Sequence, residues 1–335
     1  MSVLLVTHDA FADHVTGPHH PESASRLAAV RGGIAAAGVD EAVTAVAPRE
    51  ATVAELTTVH APDYVEAIRR FCAAGGGPLD PDTWASVGSW EAALRAAGAG
   101  LEAAERLERG EGTAAFCAVR PPGHHALAGR AMGFCLFNNI AVCAAVLAAR
   151  GERVLILDWD AHHGNGTQAA FWTDDRVAAV SLHQYPLWPM SGTLDEVGEG
   201  AGRGLTANVP LPPGATGDHE LRAVDEVVAP LAARLRPSWV LISAGFDAHR
   251  ADPLTQMGLS AGDFGLLAAR ARELAPPGRV IAFLEGGYDL EALARSAGAC
   301  VAALAGERWL PEAPTTGGPG AEVVAAAAGR ASRIG

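Results

Sequence analysis

Six short runs of β-branched and aliphatic residues punctuate the chain: Val3 to Thr7, Ala114 to Val119, Val154 to Leu157, Val177 to Leu182, Trp239 to Ser243 and Val280 to Leu284. They are apolar throughout rather than alternating, as expected of strands buried on both faces of a parallel sheet. Alanine-rich segments of helical length lie between them, at Arg26 to Ala37, Trp90 to Arg109, Asn139 to Ala149, His219 to Leu235 and Ala261 to Leu274. Strands alternating with helices predict βαβ units and a mostly parallel sheet covered on both sides. The pattern runs to about Leu304 without a linker, repeat or shift in composition, so residues 1–310 read as one α/β domain. Beyond it, PEAPTTGGPG from Pro311 to Gly320 reads as an irregular connector, followed by a short helix, Ala321 to Ala328, that ends at Gly329.

Composition narrows the function. With 335 residues, 49% hydrophobic and 19% charged, the chain is globular, and its length admits one large domain or two ordinary ones. All 25 basic side chains are Arg, so mechanisms that need a lysine amine, including pyridoxal chemistry, Schiff bases and the phosphate-loop lysine, are excluded. A formal charge of -13 argues against a nucleic-acid partner and favours cationic substrates. The five cysteines form no C-x-x-C pair, which points away from a disulfide framework or a zinc ribbon and toward a reducing cytoplasm. The N-terminal apolar stretch lacks a basic leader and reads as a first strand, not a signal peptide, and no run reaches the ~18 residues of a membrane span.

In open α/β sheets ligands bind in the loops at the carboxyl ends of the strands. The unusual residues fall there, in Arg120 to His125, Asp158 to Gly166, Ser181 to Gly192, Gly245 to Asp252 and Glu285 to Asp289. In LILDWDAHHGNG an extended backbone puts Asp158, Asp160 and His162 on one face, and a cation relieves the repulsion between the two carboxylates. An isolated histidine in such a loop would merely cap a turn; the density of carboxylate, imidazole and glycine speaks for a metal. The third ligand is Asp247 in SAGFDAH, with His249 as its rival. An Asp/His/Asp set suits Zn2+, and its hard oxygens also admit Fe(II), Co or Mn. His124 and His125, aimed by Pro121, Pro122 and Gly123, are candidates for moving the proton, and the Tyr288 phenol for stabilising an oxyanion. Gly133, Phe134 and Trp188 are candidates for an apolar sleeve around a narrow substrate stem.

RPPGHHA, DWDAHHGNG, SLHQYP, SAGFDAH and LEGGYD occur in the order seen in zinc-dependent histone deacetylases, and with HHPESASRL at His19 to Leu27 the resemblance spans about residues 5–300. The tryptophan and asparagine of DWDAHHGNG and the glutamate of LEGGYD resemble the class II branch, which includes bacterial histone-deacetylase-like amidohydrolases and is related to acetylpolyamine amidohydrolases and acetoin utilization proteins. The resemblance implies the arginase/deacetylase fold, a parallel sheet of about eight strands flanked by helices. It implies zinc held by Asp160, His162 and Asp247, His125 as general base and acid, His124 as its electrostatic partner, and Tyr288 polarising the amide carbonyl. Asp158 and Ser181, with backbone carbonyls of Asp160, His162 and Leu182, would hold a structural K+. Asn165 stands where class I relatives carry an aspartate, which leaves His125 less basic. Phe134, Trp188, Gly133, Gly286 and Gly287 match the substrate tunnel. Leu254 replaces the glutamate of polyamine-selective relatives, which favours an acetylated lysine peptide or protein over an acetylated polyamine.

Two other readings remain. A two-manganese ureohydrolase shares the fold but expects a D-A-H-x-D arrangement where this chain has D-W-D-A-H-H. A noncatalytic acyl-lysine reader would have no use for an intact set of ligands, base and phenol.

Overall fold

The computed structural model describes residues 2–334 of the chain. Eight strands form one wholly parallel sheet: β1 (Val3–Val6), β2 (Val43–Val46), β5 (Ala114–Cys117), β6 (Val154–Asp158), β7 (Val177–Gln184), β8 (Thr206–Leu211), β9 (Trp239–Ala244) and β10 (Val280–Leu284). Their order is β2-β1-β5-β10-β9-β6-β7-β8, and β3 (Gly76–Pro78) and β4 (Trp84–Ser86) form a separate antiparallel hairpin. The α/β architecture and the strand number therefore match the expectation. The central strands β5, β6, β9 and β10 are buried along their whole length, which explains their uninterrupted apolar sequence.

The two edge strands escape the hydrophobic pattern. β2 is half exposed, and β8 carries Asn208 and Pro210, residues that a sheet tolerates at its edge because the outer N–H groups are not needed there. Helices cover both faces. The segment expected as one helix from His219 to Leu235 begins at Gly217 and passes through a π-type turn, Val224–Val228. Pro230, which cannot donate to the preceding turn and crowds its carbonyl, accounts for that widening. The helices Pro62–Ala73 and Leu290–Leu304, which lie outside the expected set, complete the layers.

The tail lies against the body. Glu312 accepts from the Ala261 N–H, Thr315 bonds Asp263, and the carbonyl of Gly318 accepts from His219. The last helix runs Ala321–Ile334, past the expected stop at Ala328, and buries Val324 and Ala327. Packing outweighs the roughly 1 kcal/mol that Gly329 costs inside a helix. Among the described residues no helix is long and apolar enough to cross a membrane.

Candidate metal centre and active site

The four loops that carry the chemistry follow β5, β10, β9 and β6, which are consecutive neighbours in the sheet. Parallel strands bring all four loops to the same edge, so residues far apart in sequence meet there. Donor atoms of Asp160, His162 and Asp247 lie within 4.8 Å of one another. His162 Nδ1 is 3.2 Å from Asp160 Oδ1 and 2.8 Å from Asp247 Oδ2. Backbone donors hold the carboxylates: Gly286 N–H binds Asp160 Oδ2 at 2.8 Å and Ala161 N–H binds Asp247 Oδ1 at 2.8 Å. Glycine is obligatory where the loops cross, because a Cβ at Gly286 would sit 2.3 Å from Asp247 Oδ2 and one at Gly245 only 2.1 Å from Asp160 Oδ2.

Burial, with Asp160 close by, pushes the Asp247 carboxyl up to about 7. Two buried carboxylates and one imidazole are the hard, anionic donor set that a divalent cation satisfies, so the residues fit the metal that the sequence implies. Of the two rivals for third ligand, the fold brings Asp247 to the cluster. His249 instead pairs with Glu312 in the tail at 2.7 Å.

His124 and His125 are both buried, with ring centres 3.9 Å apart, yet their environments drive them in opposite directions. Burial disfavours a charge on His124, but Asp158, at 2.9 Å from Nδ1, together with Asp160 and Glu285, raises its pKa well above the ordinary value. Burial and the neighbouring His124 and His162 lower that of His125. His125 Nδ1 meets Asn165 Oδ1 at 2.8 Å; donating its proton there leaves Nε2 with a free lone pair. Tyr288 is raised well above 10 by burial, so its phenol stays protonated as a donor. Its ring meets Phe134 edge-on at 5.7 Å, and the Arg26 guanidinium lies 5.1 Å from its centre.

His125, His162 and Tyr288 open on one cavity of about 240 Å³, walled by Gly133, Phe134, Trp188 and Leu254, and also by Asp82 and Leu187. Trp188 packs edge-on against His125 at 4.7 Å. Gly133 has φ +56° and lies so close to His125 and Trp188 that a side chain there would meet both rings. Gly286 and Gly287, expected in the tunnel, are not part of this wall. They carry the backbone across the carboxylates of Asp160 and Asp247 and past Phe246. Asp158 and Ser181 stand side by side on β6 and β7, lining a cavity of about 10 Å³, and Ser181 Oγ also bonds His183 Nδ1 at 2.9 Å.

Sequence reasoning passed over several residues that shape the site. Glu285 accepts from Gly123 N–H at 2.7 Å and so braces the histidine loop. Glu22 is fully buried between Arg26 and Arg120, and Arg26 reaches the carbonyl of Gly287 at 2.8 Å. Asp252 bonds the Tyr288 N–H. The available signal was charged residues inside HHPESASRL, LEGGYD and the segment ADPLTQM from Ala251 to Met257, too polar for the core unless paired.

The family model for the histone deacetylase domain matches residues 20–304. The chain belongs to the histone deacetylase family and is a hydrolase acting on amide bonds. A probable deacetylase of Archaeoglobus fulgidus is 39% identical over 324 residues, covering 92% of this chain and 90% of the relative. A histone deacetylase-like amidohydrolase of Pseudomonas aeruginosa is 42% identical over 242 residues, covering 70% of this chain and 63% of the relative. The chain spans 57% of histone deacetylase 15 of Arabidopsis thaliana, at 39% identity and with 92% of this chain covered. The crystal structure of the HDA15 HD domain superposes with a TM-score of 0.91 at 35% identity, over 99% of this chain and 95% of that one.

Proposed function

We propose that this protein is a zinc-dependent deacetylase of N-acylated lysine side chains. The observation that carries the reading is that the cluster of Asp160, His162 and Asp247 reaches, through His162, the cavity that His125 and Tyr288 also line. Asp160, His162 and Asp247 would hold the cation, which supplies Lewis-acid chemistry by acidifying water and polarising the acyl carbonyl. His125 Nε2 takes the proton from the attacking water and returns it to the leaving amine. Its lowered pKa keeps the imidazole free to do so at neutral pH. Tyr288 donates to the developing oxyanion. His124, held by Asp158, contributes positive charge beside the base. Asp158 and Ser181 would take the K+ from the edge of the sheet.

The walls favour an acyl-lysine stem. Phe134, Trp188 and Leu254 offer apolar surface to a methylene chain, and beside the mouth lies an open groove of about 530 Å³ edged by Pro18, Pro81, Trp84 and Leu254. A distal ammonium, as in an acetylated polyamine, finds leucine at 254. The five cysteines are free and buried, in keeping with a cytoplasmic setting.

The test is a side-by-side assay of acetyl-lysine peptides, acetylspermidine and acetylputrescine, with zinc and with chelator. Acetate release from the peptide, abolished by chelation and restored by zinc, is the expected result. A clear preference for the acetylated polyamines would overturn the substrate assignment, and chelator-insensitive turnover would overturn the metal.

A further inference from the structure

We propose that Asp252 is a positioning residue that fixes Tyr288 relative to the metal centre and ties it to Leu254 on the substrate wall. The inference rests on the reading of Tyr288 as oxyanion donor. Asp252 is 6% exposed and spends its two carboxylate oxygens on two different loops. Oδ2 accepts from the N–H of Tyr288 at 2.7 Å, in the loop after β10, and Oδ1 accepts from the N–H of Leu254 at 2.9 Å, in the loop after β9. Both recipients line the candidate cavity, whereas Asp252 does not, so it acts through them.

The need for such a bracket follows from the local sequence. Tyr288 is preceded by Gly286 and Gly287, and Gly287 sits at φ +117°, so the backbone leading to the phenol is intrinsically free. Three restraints remove that freedom. Asp160 Oδ2 takes the Gly286 N–H, Arg26 Nε donates to the Gly287 carbonyl, and Asp252 takes the N–H of Tyr288 itself. Asp252 is anchored in turn by its own N–H, which donates to the His249 carbonyl at 2.8 Å. Bonds to an ionised acceptor are shorter and roughly twice as strong as neutral ones, which suits a carboxylate to this task. Because Leu254 hangs from the same group, the wall that meets the substrate and the phenol that meets its carbonyl are set as one unit. A misplacement of about 1 Å at a reacting centre costs on the order of 100-fold in rate.

The experiment uses the full chain with Asp252→Asn, in the wild-type and Tyr288→Phe backgrounds, with Asp252→Glu as a second variant that keeps the charge but lengthens the reach. Asparagine keeps the shape but turns a donor toward one of the two N–H groups. The expected result for both variants is a kcat loss of about 10- to 100-fold with KM changed less than about threefold and metal content intact. In the Tyr288→Phe background the same changes should cost less than about threefold, since the phenol they position is gone. Hydrogen exchange at the Tyr288 amide, measured in metal-free protein, should rise at least about tenfold in Asp252→Asn. The proposal is overturned if kcat is retained in both variants, if the losses multiply in the double variants, or if exchange at residue 288 does not change. Should Tyr288→Phe by itself leave turnover intact, the assigned role of the phenol fails instead, and the two outcomes are read separately.

Discussion

Replacing Asn165 with aspartate isolates the electrostatics of the proposed base. His125 Nδ1 lies 2.8 Å from Asn165 Oδ1, and the side chain it meets is uncharged. The variant puts a carboxylate at nearly the same place. Two unit charges about 4 Å apart at an effective dielectric near 20 attract by about 4 kcal/mol. At 1.36 kcal/mol per pKa unit that would raise His125 by about three units, and the cost of burying the new carboxylate reduces the shift to about one to three. The sign is set by what His125 does. As a base it must be neutral in the free enzyme, so a higher pKa extends the protonated, inactive form to higher pH. The acidic limb of the kcat/KM profile for an acetyl-lysine peptide should therefore move upward by about one to three units, with the alkaline limb left in place. His124 depresses His125 in both proteins and does not disturb the comparison. An acidic limb that stays within about 0.3 units of wild type in an active, metal-loaded variant would mean that His125 is not the group titrating there.

Tyr288→Phe should lower kcat by about 100- to 1,000-fold, the usual loss of one oxyanion donor, and undiminished turnover of an acetyl-lysine reporter would exclude that role. Leu254→Glu should raise the ratio of kcat/KM for acetylspermidine over acetyl-lysine peptide by about fivefold, the worth of an exposed ion pair near 1 kcal/mol, as measured by direct competition of the two substrates. Burial lowers His14, His60 and His163 to about 4, so each is neutral in the fold and takes up a proton more readily when unfolded. Their contributions are complete above pH 6.5 and are lost as the pH falls through about 4, about 3 kcal/mol apiece, so urea midpoints should decline steadily over that window rather than stay level. Zinc at 100 times its Kd should stabilise the chelated protein by about 2.7 kcal/mol, and Asp247→Asn should shrink that gain in a thermal-shift titration.

The sheet's interior was legible because physics leaves little choice there. A strand covered on both faces must be apolar throughout, and β5, β6, β9 and β10 are. The edge strands were not legible, since Thr206 to Leu211 answers to packing on one side only and carries a proline. Much of the candidate site was legible for a related reason: Asp158 ends a buried strand with no room to wander and Asp160 and His162 follow directly, so spacing translates into direction. The choice between Asp247 and His249 was not open to spacing, because the turn after Gly245 decides which side chain faces back toward β6. The pairing of His249 with Glu312, 63 positions away, is a tertiary fact with no local signature. The same holds for Arg26, whose partners Glu285 and Gly287 lie more than 250 residues downstream.

The acidic groups at the centre of this edge have a second use that explains why they are so many. Asp160 takes the Gly286 N–H, Asp247 the Ala161 N–H, Glu285 the Gly123 N–H, and Asp252 that of Tyr288. Each carboxylate reaches from one loop to another, so the four loops after β5, β10, β9 and β6 are laced together by side chain to backbone bonds where no sheet ladder can extend. A loop so close to the core would otherwise bury unpaired N–H groups at a cost of about 1–3 kcal/mol each. Concentrating negative charge to solve that problem creates another, visible in the raised pKa of Asp247 and of Glu285, both near 7. The positive His124 offsets part of that excess, and the proposed divalent cation would offset the rest. On this argument the proposed metal centre and the scaffold that aims His125 and Tyr288 are one electrostatic solution, and withholding a divalent cation should loosen all four loops together rather than alter a single pocket.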